Sequence, residues 1–175
     1  MEYNIINCTY EKHASSILDI FNEVIETSTA LYDYKNRTME DMTNWFKVKN
    51  SSHYPVIGLE SSTGELIAFG SYGAFRNWAA YQYSVEHSIY VHKNYRGRGL
   101  GHVILKLLIQ SAHKNNYHAM IAGIDVENKG SIILHEKHGF QFVGMLPEIG
   151  YKFDRWLNLA FYQLLLDTKA SLHPM

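Results

Sequence analysis

The stretch Ser88-Ile89-Tyr90-Val91-His92-Lys93-Asn94-Tyr95-Arg96-Gly97-Arg98-Gly99-Leu100-Gly101-His102 lies mid-way along a chain of 175 residues, and its reading decides the fold. Upstream of the glycines, Val85, His87, Ile89 and Val91 alternate with Glu86, Ser88 and Tyr90, a period of two that predicts a strand over Ser84–Val91. Downstream, Val103, Ile104, Leu107, Leu108 and Ala112 fall at helical spacing and predict a helix from about Gly101 to Lys114. Gly97, Gly99 and Gly101 let the backbone between them curl tightly, so that its N–H groups point outward at the start of a helix. Such a nest suits a pyrophosphate, and Arg96 and Arg98 add positive charge beside it. Two other phosphate loops fail on spacing. A P-loop ends in Gly-Lys-Ser/Thr, whereas Gly101 is followed by His102-Val103. A Rossmann fingerprint needs its third glycine where His102 stands, and a strand near the start of the chain. A helix-opening turn without a ligand is the plain alternative, and the flanking arginines speak against it.

Outward from this centre, Tyr3–Cys8 reads as a short strand, with Thr9 placed to cap the next helix. Ile17, Leu18, Ile20, Phe21, Val24 and Ile25 give an amphipathic helix over about Ala14–Thr27. Ser28–Arg37 shows no period and reads as a loop carrying Thr29, Tyr32 and Tyr34. Thr38 and Asp41 form a capping-box signature ahead of a second helix bearing Met42, Trp45, Phe46 and Val48. Val56–Glu60 and Glu65–Tyr72 flank Ser61-Ser62-Thr63-Gly64 as a hairpin. Beyond the glycine turn come a strand at Ala119–Ile124, a short helix at Ser131–Lys137, and strands at Phe140–Leu146 and Trp156–Leu166, then a frayed tail at Lys169–Met175. The order β-α-α-β-β-β-α-β-α-β-β predicts one α/β domain over residues 1–175, built on a mixed central sheet flanked by helices.

Composition narrows the function classes. Charged residues are only 19% and the formal net charge is -1, so no broad basic field is available for duplex nucleic acid. Cys8 is the only cysteine, which rules out an internal disulfide and fits a reducing compartment, the cytoplasm. Its place in the first strand predicts a buried structural thiol. No basic segment leads into an apolar run at the N-terminus, and no stretch reaches transmembrane length. Ten histidines invite a search for metal, but there is no His-Glu-x-x-His and no third ligand for His135 and His138, so no metal is expected.

Arg96-Gly97-Arg98-Gly99-Leu100-Gly101 behind a strand resembles the Arg/Gln-x-x-Gly-x-Gly/Ala signature of the GNAT superfamily of N-acetyltransferases. Asn128-Lys-Gly-Ser131-Ile-Ile-Leu-His135-Glu-Lys-His-Gly139-Phe140 resembles that family's second cofactor segment. Val85–Val91, Phe75-Arg76-Asn77-Trp78 and Lys152-Phe-Asp-Arg155-Trp156 resemble the phosphinothricin and methionine sulfoximine acetyltransferase branch. The likeness covers most of the chain and is strongest from Ala68 to Leu166. It implies a GNAT fold splayed at the acetyl-CoA site, acetyl-CoA as co-substrate, and a homodimer. The acceptor it implies is the α-amine of a small amino acid or analogue: methionine sulfoximine, methionine sulfone or phosphinothricin. A peptide or lysine acetyltransferase, and an acyl-CoA sensor without catalysis, are the alternatives.

An amine near neutral pH is mostly protonated, so a base must act before it attacks a thioester. Glu86, a carboxylate on an otherwise apolar strand leading into the turn, is the candidate, and a surface-facing Glu is the plain alternative. The branch carries its proposed base at this place, working through water. By the same resemblance the backbone at Ile89, Tyr90 and Val91 faces the thioester and pantetheine, where one N–H can hold the oxyanion. Arg96 through His102 would take the pyrophosphate. Asn128, with Ser131 near it, would bond the pantetheine arm or cap the next helix. His135 stands where many family members place a Tyr that protonates the departing thiolate, and a packing role is its alternative. Arg76 could clamp a carboxylate and Trp78 wall the acceptor, joined by Asn77, Glu86, His87 and Ser88. Thr29 and Tyr32 could complete the pocket.

Overall fold

A computed structural model describes residues Glu2–Leu166; the tail expected at Lys169–Met175 lies outside them. The elements follow the expected order: β1 (Tyr3–Asn7), α1 (Tyr10–Thr27), α2 (Met39–Ser51), β2 (Val56–Ser61), β3 (Leu66–Ala74), β4 (Ser84–Val91), α3 (Leu100–Lys114), β5 (Ala119–Asp125), α4 (Lys129–Lys137), β6 (Gln141–Lys152) and β7 (Arg155–Leu165). They build a seven-stranded sheet in the order β1-β2-β3-β4-β5-β7-β6. Only β4 and β5 run parallel, which makes the sheet mixed.

Each face of the sheet buries one helical stripe. On one side Ile17, Ile20, Phe21 and Val24 of α1 and Met42 and Phe46 of α2 pack on the strands. Phe21 meets the rings of Phe69 and Tyr90 edge-on at 5.2 and 5.0 Å. On the other side α3 buries Leu100, Ile104, Leu105, Leu108 and Ala112 against Ile67, Val85 and Met120. The alternation read in β4 is therefore real: Tyr90 serves the α1 side and Val85 the α3 side.

Local chemistry accounts for most ends. Thr38 and Asp41 form the expected capping box, with Thr38 N–H donating to Asp41 Oδ2 at 2.7 Å. Helix α1 differs from expectation. It begins at Tyr10 rather than Ala14, and the Thr9 hydroxyl makes no capping bond; Thr9 N–H donates instead to His13 Nδ1 at 2.9 Å. Strand β6 also runs past Leu146, to Lys152. The ladder slips between Leu146 and Gly150, around Pro147, and then resumes with Gly150 opposite Leu157. Phe153 and Asp154, both left-handed at φ 52 and 55, close a tight hairpin into β7.

The feature that shapes the site is a missing stretch of pairing. Strand β4 meets β5 only at Ser84↔Ala119, Val85↔Met120 and Glu86↔Ile121. Its other edge stays paired with β3 as far as Val91↔Ala68, and β5 stays paired with β7 to Asp125↔Leu159. Past Glu86 the sheet therefore divides into a near half, β1 to β4, and a far half, β5, β7 and β6.

Candidate active site

A cavity of about 440 Å³ occupies this wedge. Its near wall is His87–Val91, its far wall Ala122–Asp125 with Leu159, and its third side Thr29, Ala30 and Tyr32 from the α1–α2 loop. Arg96, Gly101, Asn128, Ser131 and His135 complete it toward the helices.

Ladder parity says which backbone groups face the opening. His92 N–H donates to Ile67 C=O at 3.0 Å, and Phe75 N–H to Ser84 C=O at 3.2 Å, so even-numbered peptides of β4 turn toward β3. The peptides of Ile89 and Val91 turn the other way, into the gap that β5 has left. Each offers an N–H donor to the opening; two residues apart on an extended strand, they point the same way too far apart to share one oxygen, so a single N–H is available to an oxyanion.

Glu86 is the last paired residue before the split, half-buried. Its Oε1 lies 3.2 Å from where a side chain on Gly123 would begin, so the glycine leaves room for the carboxylate to reach across to β5. Burial raises its pKa, while the Arg76 guanidinium pulls the other way. Arg76 itself is exposed, donating to Phe75 C=O at 2.9 Å, and Asn77 and Trp78 stand in solvent, outside the cavity wall.

The glycine turn has the expected geometry. Gly97 and Gly99 are left-handed at φ 75 and 79 with open space around them, and Gly99 leads into the first turn of α3. The arginines are less free than the sequence implies. Arg96 forms an ion pair with Glu23 of α1, and its Nε donates to Val91 C=O at 3.1 Å. Arg98 lies over Tyr95 and donates to Asn94 C=O at 3.1 Å. His102 pairs with His138, Nδ1 to Nε2, at 3.1 Å, off the cavity wall. Asn128 caps α4 by accepting from Ser131 N–H at 3.1 Å.

His87 sits on the opposite face of β4 from Glu86, stacked on His135 with ring centroids 5.1 Å apart. Both are buried, and their Nε2 atoms are 3.2 Å apart. The Ser131 carbonyl lies 2.6 Å from His135 Nδ1 and can only accept, so that nitrogen carries the proton. His135 Nε2 then accepts from His87 Nε2–H, which leaves His87 Nδ1 a bare, buried acceptor without a partner among the described residues. Burial, reinforced by His135, lowers the His87 pKa to about 3; burial also lowers that of His135. Both rings are therefore neutral at physiological pH, and His135 has no N–H left for a departing thiolate.

Sequence reasoning missed Gly123 and Asp125, because Ala119–Ile124 reads as one apolar strand. A glycine inside such a run was the available signal for a close approach. Among the described residues no group of three potential metal ligands forms, and no helix is long and apolar enough to cross a membrane.

The split sheet and its glycine turn define a class, and comparison with known proteins identifies it: residues 17–140 match the acetyltransferase (GNAT) family, and the chain belongs to that family as an acetyl-CoA-dependent N-acetyltransferase. An L-methionine sulfoximine/L-methionine sulfone acetyltransferase from Pseudomonas aeruginosa is 39% identical over 158 residues, covering 89% of this chain and 90% of that one. An N-acetyltransferase structure from Staphylococcus aureus superposes with a TM-score of 0.91 at 41% identity, over 94% of this chain and 99% of the other. A phosphinothricin acetyltransferase from Sinorhizobium meliloti, solved with acetyl-CoA, superposes at 0.92 with 30% identity, over 100% and 94%.

Proposed function

We propose that this enzyme moves the acetyl group of acetyl-CoA to the α-amine of a small amino acid or analogue of the methionine sulfoximine, methionine sulfone or phosphinothricin type. The observation that carries the reading is Glu86, held at the last rung before the sheet divides, with its carboxylate reaching over Gly123 beside the cavity. The relatives' acceptors supply the substrate class. Glu86, acting through water, removes a proton from the acceptor ammonium, and burial makes it a stronger base than an exposed Glu. The amine then attacks the thioester carbonyl, whose oxygen takes negative charge beside the N–H of Ile89 or of Val91. The C–N bond forms, the C–S bond breaks and CoA leaves as thiolate; the second proton, shed by the new amide nitrogen, passes through solvent to that thiolate. His135 is left out of this step, since both its nitrogens are engaged.

The same reading seats the pyrophosphate on the Arg96–Gly101 turn and the pantetheine arm between Ile89–Val91 and Asn128. Arg76, Asn77 and Trp78 reach the acceptor from outside the cavity. It includes a cytoplasmic homodimer: β6 is an edge strand exposing Phe142, Val143, Met145, Leu146 and Ile149, an apolar row that a second copy would cover.

A thiol-release assay with acetyl-CoA over amino acids, analogues and lysine peptides tests the reading. Turnover of methionine sulfone without turnover of peptides is expected, and the reverse overturns the acceptor class. Glu86→Gln should lower kcat by roughly 10²–10⁴-fold with acetyl-CoA affinity unchanged. An unchanged kcat would remove Glu86 as base.

A further inference from the structure

The third wall of the cavity comes from a loop that belongs to neither half of the sheet. Helix α1 packs on the near half through Phe21, but the residues after it, 28–34, cross the gap and are fastened to the far half. Four contacts do this. Lys152 of β6, itself only 5% exposed, donates its three ammonium protons to the carbonyls of Ile25, Ser28 and Leu31 at 2.7, 2.9 and 2.7 Å. Thr29 Oγ1 donates to Asp125 at the end of β5 at 2.5 Å, and the same carboxylate takes Arg155 Nη2 at 3.3 Å. The Tyr32 ring lies against Gly150, where a side-chain carbon would come within 2.7 Å of it. Tyr34 OH donates to Tyr151 C=O at 2.7 Å.

Lys152 is the central fastening. The last turn of α1 carries no basic residue, so its terminal carbonyls lack the cation that usually settles a helix C-terminus. Lys152 supplies that charge from another element, and with all three protons spent it has none to give a ligand.

We propose that Lys152 is a positioning residue for the acceptor: it holds the 28–34 loop across the divided sheet so that Thr29 and Tyr32 wall the acceptor side of the cavity. The proposal rests on the amino-acid acetyltransferase reading above. Acetyl-CoA would lie on the glycine turn and β4, which Lys152 does not touch, so its loss separates the two substrates.

The test is Lys152→Met beside Lys152→Arg and Thr29→Val, in the full chain. For Lys152→Met the acceptor KM should rise at least tenfold, with acetyl-CoA affinity by calorimetry within twofold of wild type. Lys152→Arg should recover most of the acceptor KM, and Thr29→Val, which orphans no carbonyl, should raise it several-fold without unfolding. Amide exchange across 28–34 should accelerate in Lys152→Met and not in the β4 core. Acceptor and acetyl-CoA affinities that fall together, or exchange at 28–34 that does not change, overturns the proposal. Should wild type acetylate no amino acid or analogue, the functional reading fails instead, and the exchange arm still decides whether Lys152 holds the loop.

Discussion

Acid should destabilise this enzyme through His87, and the size of the effect follows from its surroundings. In the unfolded chain the imidazole takes up a proton with an ordinary pKa of 6.5; in the fold, sealed between His135 and Phe140, it does so only near 3. Between those values the unfolded state binds the extra proton, so stability is full above about pH 7 and falls as pH drops toward 3. At pH 5 the loss is set almost wholly by the unfolded pKa, since the folded value lies well below. It comes to RT ln(1 + 10^1.5), about 2 kcal/mol relative to pH 8. The variant to compare is His87→Gln, which cannot titrate but keeps an N–H for His135 Nε2. Urea denaturation of both proteins at pH 8 and pH 5 gives two pH-dependent losses. Other groups, including the depressed His135, act in both proteins, so the wild-type loss should exceed the variant's by about 2 kcal/mol. Equal losses would mean that His87 is not held neutral, and the proton order Ser131–His135–His87 would be wrong.

Three further outcomes are expected. Gly99→Ala forces a side chain into φ 79 with no contact to relieve it; it should cost about 1–2 kcal/mol in thermal or urea unfolding and raise the KM for acetyl-CoA. Gly123→Ala puts a methyl 3.2 Å from Glu86 Oε1, so kcat should fall several-fold while acetyl-CoA affinity holds, as separate titrations would show. The proposed homodimer predicts a wild type that sediments as a dimer and a Met145→Glu, Leu146→Glu double variant that sediments as a monomer, since buried like charges would oppose pairing of this apolar edge; a monomeric wild type removes the interface.

How far the sequence could be read depended on the range of the cause. The capping box at Thr38 and Asp41 was legible because a side chain and a backbone N–H three residues apart are enough to make it. Thr9 does occupy the N-cap position of α1, but its hydroxyl makes no capping bond, and its N–H goes to His13 one turn on, a partner the sequence pattern did not single out. The strand read at Phe140–Leu146 stops short of the observed end at Lys152, because only pairing with β7 carries the edge strand on across the slip between Leu146 and Gly150. The Arg96 charge was legible, but its partner Glu23, 73 residues away, was not.

By itself the sequence determined the strand, glycine turn and helix at the centre, the order of elements and the family, since period, φ preference and helix-start chemistry are local. Tertiary structure alone decided that the splay implied by the resemblance begins after Glu86, that His135 spends its second nitrogen on His87, and that Lys152 fastens the loop over the gap. Each of these depends on residues 35 to 127 positions apart meeting in one place, and no local pattern encodes such a distance.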